Sequence, residues 1–503
     1  MPHKKLSSQI LQKQPTPPNL SSHSQDRYKS PTQRASHLPR VLYSHDIFSA
    51  QHIGGISRYI FELFIRNENA TIPLLYSENL YLNIYKKRPN FKGKFRIIRL
   101  LNELKERLIL RSGIFDIYHA SYYKRIKIPQ STAFIITIHD MIHEIYATSY
   151  FKNDSKTSHL KRLNCLQADG IIAISNQTKS DLINLFNIQA DKIRVIYQAH
   201  SLKKPRNATL PQNLPQDYIL FVGGRGGYKN FANFAKAIAL IHNLYPHIRA
   251  FCVGSEFNSD ENALLESLNI KGVFTTHLAK ECELYAIYHN AICFVFPSFY
   301  EGFGIPILEA FFAQTPTLLS DIAVFREIAG NAVLYFNPHD ENSIAESIIK
   351  ILQNKALSRR KVALANKRLA DFSWERTYKQ TLNFYNEILE KRKKKDSAKI
   401  ATDSTKIAES SGGNSAIISN SIKITSADRS DSKIKGDSAI LSDSAKIANG
   451  GGQNVESNAE FSVKYRIEYR IESSVNPTAK TRIAISARFY AKHSANTSHL
   501  RCA

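Results

Sequence analysis

A chain of 503 residues with 43% hydrophobic and 10% aromatic content is too long for one ordinary core and apolar enough to build two. No apolar run is long enough to span a bilayer, and the N-terminal stretch lacks the apolar segment of a secretory signal. The formal net charge of +25 calls for anionic partners, namely nucleic acid, a membrane surface or anionic small molecules, yet no nucleic-acid-binding motif accompanies it.

Residues 1–39 are basic and rich in Pro, Ser and Gln, which predicts a disordered leader. Folding signals begin at Val41–Tyr43. HIGGISRYIFELF at 52–64 is a glycine turn entering an amphipathic helix. Lys86–Arg111 mixes cations with Phe, Ile and Leu at partly helical spacing, which suits either an anionic bilayer surface or a solvated helix face. Strands are predicted at 115–119, 133–138, 171–174 and 193–197, with Ser175 capping a helix to about Leu185. The Pro/Asn/Gln-rich stretch 201–216 reads as a linker.

A second alternating series follows. Strands are predicted at 218–222, 250–253, 272–274, 292–296, 317–320 and 332–335, a helix at 341–353 and a last helix opened by Ser373 and Trp374. KRKKK occupies 391–395. Beyond it, DSAKIA and YRIE recur in a low-complexity tail with too little apolar bulk for a core. The domains are therefore expected at 40–203 and 204–373, with a helix over 374–395 and a disordered tail over 396–503. The fold class is α/β, with two Rossmann-like, doubly wound parallel sheets facing a central cleft. The five cysteines, Cys165, Cys252, Cys282, Cys293 and Cys502, form no C-x-x-C pair and no zinc-like spacing, and fit free thiols in a reducing cytoplasm.

In open α/β sheets, ligands bind beyond the carboxyl ends of the strands. Three stretches stand at such ends. In FPSFYEGFGIPILEA, at 296–310, Gly302 and Gly304 permit close approach, Pro306 suits a first helical turn, and the free N–H groups of that turn form an anion site. Glu309 offers two oxygens, which matches the vicinal diol of a ribose, and Glu301 has the means to accept from the hydroxyls of a second sugar. Acids near a helix N-terminus also occur for the dipole alone, at about 0.3–1 kcal/mol. In FVGGRGGYKN, at 221–230, Arg225 and Lys229 are able to balance a diphosphate, although the loop fits neither G-x-G-x-x-G nor G-x-x-x-x-G-K-[ST]. His139 and Asp140 follow the strand at 133–138, where a histidine either contacts a sugar hydroxyl or caps the strand.

Glu301 and Glu309 in EGFGIPILE, with GGISRY at 54–59, THD-like residues at 137–141 and FSWE at 372–375, carry a family resemblance. The chain resembles the family 4 (group 1) retaining glycosyltransferases of the GT-B fold over residues 40–395. Within them it is similar to the mannosyltransferases of polysaccharide and O-antigen assembly. The resemblance implies that Gly54 and Gly55 let a turn approach the donor diphosphate and that His139 contacts the transferred sugar. It also implies that Arg225 and Lys229 bind the diphosphate, Glu301 holds the hexose and Glu309 the ribose. The amides of Gly302, Phe303, Gly304 and Ile305 would steady the leaving phosphate. The arginine that family members often carry five positions before the lysine falls at Gly224 here, and Arg225 stands one residue later.

The implied reaction is transfer of a hexose, mannose favoured, with retention, from a nucleotide-diphosphate-sugar, GDP-mannose favoured, to a growing, lipid-linked surface polysaccharide. The nucleotide-sugar is a substrate, and no cofactor is expected. The chain has no D-x-D motif, so protein cations are expected in place of a metal. The expected location is cytoplasmic, with the acceptor on the N-terminal side. Docking on the inner membrane through Lys86–Arg111 and Lys391–Lys395 is compatible with the sequence; no nucleic acid is expected as a partner. A nucleotide-sugar epimerase of the same fold and a basic nucleic-acid-binding protein are the alternatives. A nicotinamide-dependent oxidoreductase is disfavoured, because neither glycine turn carries G-x-G-x-x-G followed by a ribose-binding acid.

Overall fold

The computed structural model describes residues 38–82, 94–152, 154–206 and 210–410. The expected leader, all but its last two residues, therefore lies outside the described residues. So do Lys86–Gly93, Cys502 and the tail from residue 411.

Six parallel strands form the first sheet: β1 (Val41–Tyr43), β2 (Ala70–Thr71), β3 (Ile117–Ala120), β4 (Ala133–Ile138), β5 (Gly170–Ala173) and β6 (Ile193–Val195). Six more form the second: β7 (Tyr218–Val222), β8 (Arg249–Val253), β9 (Phe274–His277), β10 (Cys293–Phe296), β11 (Thr317–Ser320) and β12 (Leu334–Phe336). The orders are β2-β1-β3-β4-β5-β6 and β12-β11-β10-β7-β8-β9. Each order reverses once, between β1 and β3 in the first sheet and between β7 and β10 in the second. These are the switch points at which doubly wound sheets open a crevice.

The strands read as near-continuous apolar runs because both faces of a parallel sheet are covered. Alternate residues divide between two layers. Leu42, Phe134, Ile136 and Ile171 pack with Cys165, Leu182 and Phe186, whereas Val41, Tyr43, Ile135 and Ile172 pack with Tyr59, Ile60 and Leu63. In the second sheet Ile219, Phe221 and Val295 face Phe234 and Ile238, and Leu220, Phe294 and Phe296 take the opposite side. The layer holding Val41 is continuous with the one holding Leu220, through Ile196, Leu202, Phe303, Phe372 and Trp374. The two halves thus share one apolar cluster.

Several elements depart from expectation. β2 is a two-residue edge strand with no apolar run to announce it. Phe274 begins β9 rather than ending it, because Lys271–Val273 forms a 3-10 turn. The last helix runs from Trp374 to Ser410, so the boundary at 395 is corrected: residues 396–410, expected in the disordered tail, continue the helix. The expected helix at 341–353 is present as Glu341–Gln353.

The last helix packs against the first sheet. Trp374 Nε1 donates to Ser201 Oγ at 2.8 Å and Thr377 Oγ1 to the Tyr197 carbonyl at 2.7 Å. Phe384 and Ile388 lie where a side chain at Gly170 would intrude, and Arg392 pairs with Asp169 at 2.6 Å. Deepest of all, the hydroxyl of Tyr385 meets His119 Nδ1 at 2.6 Å and Tyr43 Oη at 3.3 Å, while His119 Nε2 meets Thr137 Oγ1 at 2.9 Å. All four side chains are buried. Removing one partner of a buried hydrogen bond leaves the other desolvated and unpaired. Tyr385→Phe is therefore expected to lower stability by about 1–3 kcal/mol in chemical denaturation. An unchanged midpoint would show that this network does not hold the helix.

Candidate active site

The loop after β10 is shaped by two glycines. A β-carbon on Gly302 would lie 1.8 Å from the carbonyl oxygen of His139, so no side chain fits there. Gly304 has φ 102° and opens helix Ile305–Phe312, with Pro306 in its first turn. Among the described residues no protein acceptor takes the N–H groups of Phe303, Gly304 or Ile305, which leaves these donors for an anion.

Glu301 sits in this loop with Ser298 Oγ donating to its Oε1 at 2.8 Å and Lys229 Nζ at 2.6 Å from the same oxygen. Lys229 ends a 3-10 turn, Gly227–Lys229, just after the glycine loop that follows β7. Asn230, left-handed at φ 59°, ties that turn down by donating to the carbonyls of Pro297 and Pro338. Burial works against the charge of Lys229, but Glu301 and Tyr228 more than offset it, so the ammonium's pKa is raised and it stays protonated.

Opposite lies the loop after β4. Burial lowers the pKa of His139 to about 4; Asp140 works against this and Lys161 adds to it. The ring is therefore neutral near pH 7, able to donate from one nitrogen and accept at the other. Tyr59 meets it edge-on at 5.1 Å. Lys161 is fully buried behind the loop, with Nζ 3.0 Å from the Asp140 carbonyl and 2.7 Å from Glu144 Oε2.

Glu309 lies in the second turn of its helix. Burial raises its pKa to about 7, Glu281 adds to the rise, and the hydroxyl of Tyr288, at 3.0 Å from Oε2, and Arg58 oppose it. Arg58 belongs to helix Gly55–Phe64 and stands 3.7 Å from Glu281 Oε1 and 4.8 Å above the ring of Tyr81. The same helix N-terminus brings Gly55 close to the second half: a β-carbon there would sit 3.6 Å from Ile305 Cδ1.

The structure thus gathers His139, Gly55, Lys229, Glu301, Gly302 and Ile305 around one seam between the halves, with Gly54, Phe303, Gly304 and Glu309 beside them. It does not bring Arg225 to Lys229. The Arg225 guanidinium bonds to Glu261 at 3.0 and 3.1 Å and to the carbonyls of Ser255 and Glu256, and lies 4.7 Å over Phe257. In that place it braces the glycine loop against β8 and its following turn. The sequence assigns no role to Arg58, Lys161, Ser298 or Tyr300: the first, third and fourth lie inside GGISRY and FPSFYEGFGIPILEA but are not the residue types that mark those motifs, and Lys161 lies in no motif.

Among the described residues one group of potential metal ligands comes together, His45, Asp46 and Glu103. Lys124 Nζ already sits there, 2.8 Å from Asp46, 2.9 Å from Glu103 and 2.5 Å from Glu106, and supplies the positive charge those acids need.

Residues 53–203 match the family model described as Glycosyltransferase Family 4, and residues 205–368 match Glycosyl transferases group 1. Among curated proteins, O-antigen chain mannosyltransferase RfbU of Salmonella typhimurium is 29% identical over 219 residues, 43% of this chain and 60% of that protein. O-antigen chain mannosyltransferase B of Escherichia coli is 27% identical over 305 residues, 57% of this chain and 78% of that protein. The serotype-specific mannosyltransferase WbdA of Escherichia coli is 29% identical over 246 residues, 46% of this chain and 30% of that protein. The chain therefore spans from under a third to over three quarters of the length of these relatives. Among solved structures, sucrose-phosphate synthase from Thermosynechococcus elongatus superposes with a TM-score of 0.54 at 19% identity, covering 69% of this chain and 98% of that one. WaaG, a glycosyltransferase involved in lipopolysaccharide biosynthesis, does so with 0.51 at 14% identity, covering 69% and 99%. At these identities the structural likeness is one of fold.

Because burial pushes the pKa of Glu309 up to about 7, its ionised fraction grows between pH 6 and pH 8. A vicinal diol bonds best to the ionised form. Affinity for a nucleoside diphosphate, measured by calorimetry, is expected to rise several-fold from pH 6 to pH 8, and Glu309→Gln to flatten that rise. A wild-type profile as flat as the variant's would remove Glu309 from the diol site.

Proposed function

The chain belongs to the group 1, family 4 glycosyltransferases and has their GT-B fold, and we propose that it transfers a hexose, mannose favoured, from a nucleotide-diphosphate-sugar to a growing surface polysaccharide with retention of configuration. The observation that carries this reading is the meeting of Lys229, Glu301 and the free amides of 303–305 with His139 across one seam. The O-antigen mannosyltransferases among its relatives support the choice of sugar and acceptor class.

In this mechanism the donor diphosphate takes Lys229 as its cation and the amides of Phe303, Gly304 and Ile305 as hydrogen-bond donors. Glu309 holds the ribose diol. Glu301, released from Lys229, accepts from hydroxyls of the hexose, and neutral His139 contacts the same sugar from the other side. The bond from the anomeric carbon to the diphosphate oxygen breaks. The acceptor hydroxyl oxygen bonds to that carbon on the face being vacated, and its proton passes to the departing diphosphate. Positive charge on the sugar and negative charge on the leaving group both grow toward the transition state, so fixed partners at the leaving group lower the barrier. Lys229 and the amides of 303–305 fill the electrostatic role that a metal has in other transferases. Arg225 serves here by holding the glycine loop, not by touching phosphate.

We place a lipid-linked acceptor, and an anionic membrane surface, on the side of helix Lys94–Arg111. That helix exposes Phe95 at 60%, Leu100 at 59% and Leu108 at 68%, with Arg96, Arg99, Arg107 and Arg111 exposed among them. Apolar anchors among arginines suit an anionic bilayer surface. The basic run at 391–395 is less free than its sequence suggests, since Arg392 is held by Asp169.

Incubation of the purified chain with a nucleotide-sugar panel tests the reaction, with product stereochemistry read by NMR. Lys229→Ala is expected to slow transfer by about tenfold or more, as loss of leaving-group electrostatics does. Normal turnover would take Lys229 out of the mechanism. An epimerised sugar with no transfer product would favour the same-fold alternative. Salt-sensitive nucleic-acid binding that survives Glu301→Ala, in a protein inert toward every donor, would favour the charge-driven one.

A further inference from the structure

Tyr300 precedes Glu301 in the chain, yet its side chain works across the seam. Its phenol oxygen accepts the N–H of Met141 at 3.2 Å and donates to Asp181 Oδ2 at 2.8 Å. Met141 ends the loop that carries His139 and Asp140. Asp181 lies in the second turn of helix Asn176–Phe186, where Gln177 also bonds to it. The ring is only 8% exposed, and Tyr146 meets it edge-on at 6.5 Å. Burial, with Asp181 adding to it, pushes the phenol's pKa far up, so the proton that Asp181 receives is always present.

On the far side of Glu301 the same loop is tied again. The Gly302 carbonyl accepts from Ser175 Oγ at 2.7 Å and from Thr178 Oγ1 at 3.4 Å. Glu301 is thus the one residue between two anchors, both on the first half of the molecule. A third cross-link lies at the same helix N-terminus: Glu327 accepts the N–H groups of Asn176 at 2.7 Å and Gln177 at 3.3 Å, and Asn176 Nδ2 at 2.9 Å. It joins the halves without bonding to the loops that carry His139 and Glu301.

We infer that Tyr300 is a positioning residue for transfer: its phenol, shared between Met141 and Asp181, fixes the Glu301 carboxylate relative to His139 so that both meet one sugar. The inference rests on the transferase reading and deepens it. Tyr300 touches no reacting atom in this role and acts through Glu301. Lys229 and Glu309, which take the diphosphate and the ribose, are not set by this bond. Its loss should therefore misalign the sugar more than it weakens the donor, and misalignment is felt in rate. A loosened seam also admits water, which hydrolyses donor without transfer.

The test compares transfer and donor hydrolysis, using the nucleotide-sugar that the wild-type enzyme accepts, in Tyr300→Phe, Asp181→Ala, Asp181→Asn and Glu327→Gln. Tyr300→Phe is expected to lower kcat by about tenfold to a hundredfold, with donor KM within about twofold, and to raise the hydrolysed share of donor. Asp181→Ala removes the same bond from its other end and should match it, which keeps the test open if Tyr300→Phe does not fold. Asp181→Asn still accepts the phenol's proton and should recover most of the rate. Glu327→Gln, which loosens a cross-link that bonds to neither loop, should leave kcat within about twofold of wild type. Wild-type kcat in both Tyr300→Phe and Asp181→Ala, a loss confined to KM in both, or an equal loss of kcat in Glu327→Gln, would overturn the inference. A wild-type protein that neither transfers nor hydrolyses any nucleotide-sugar would overturn the transferase reading itself, and this role with it.

Discussion

The carbonyl oxygen of His139 occupies the space where a β-carbon on residue 302 would have to be. That single steric fact ties the two sheets to one another at the level of the site. β4 delivers His139 and β10 delivers Glu301, and both strands end at the carboxyl edge of sheets that have no strand in common. Only a residue without a side chain lets the two backbones meet, and once they meet the rest of the geometry is constrained. Ser175 caps its helix and, with the same hydroxyl, donates to the Gly302 carbonyl. Tyr300 reaches Met141 and Asp181, and Gly304 turns the chain into the helix that carries Glu309. A larger residue at 302 would push the halves apart and undo all of these at once, which is why the glycine matters more here than those of the loop at 223–227.

The fold was legible because parallel strands buried on both faces leave unbroken apolar runs, and β4 and β7 are such runs. The loop after β10 was legible because glycine, proline and acid fall in a fixed order around a strand end. Other features left no such trace. β2 is too short to show a period. The start of β9 was misplaced because Val273 is apolar in a 3-10 turn as it would be in a strand. The helix beyond Lys395 consists of Lys, Asp, Ser, Ala, Ile, Thr and Glu, residues whose propensities allow a helix where composition suggests none. Asp181 and Tyr300 are bonded at a separation of 119 residues, and no local pattern encodes such a pair. For Arg225, residue type and place both point at a phosphate, while the guanidinium is bonded to Glu261, in the first turn of the helix after β8, a partner that no local pattern announces.

Charge explains why the site contains acids at all in so basic a chain. An ammonium as enclosed as that of Lys229 would tend to lose its proton if left alone. Glu301 at 2.6 Å keeps it charged, and Ser298 holds the same carboxylate oxygen, so the pair stands ready before any ligand arrives. The pattern recurs nearby: Arg58 is balanced by Glu62 and Glu281, and Lys161 by Glu144. Each cation is stored against an acid. In the mechanism we propose, a diphosphate entering the seam competes with Glu301 for Lys229, and the carboxylate it displaces becomes the acceptor for the hexose hydroxyls. In that mechanism the loss of one ion pair is offset by two new interactions, and the one made by Glu301 depends on its loop staying where Tyr300 and Gly302 hold it.

The C-terminal helix gives that arrangement a floor. Tyr385 inserts from it beneath β1 and β3, and its hydroxyl bonds to His119, which bonds through Thr137 toward Tyr59. Tyr59 in turn packs on His139 at one edge and lies 6.1 Å from Trp374 at the other. A residue 246 positions further along the chain thereby supports the ring of His139, through packed aromatic and hydroxyl groups with no charged member. Burial drives the pKa of His119 down to about 3, so it stays neutral wherever the protein is folded near pH 7, and the network keeps one hydrogen-bonding pattern. The site is thus rigid from below and stitched from the side, while the amides of 303–305 remain open to the ligand. That combination, fixed walls with unspent donors, is what electrostatic stabilisation of a departing diphosphate requires.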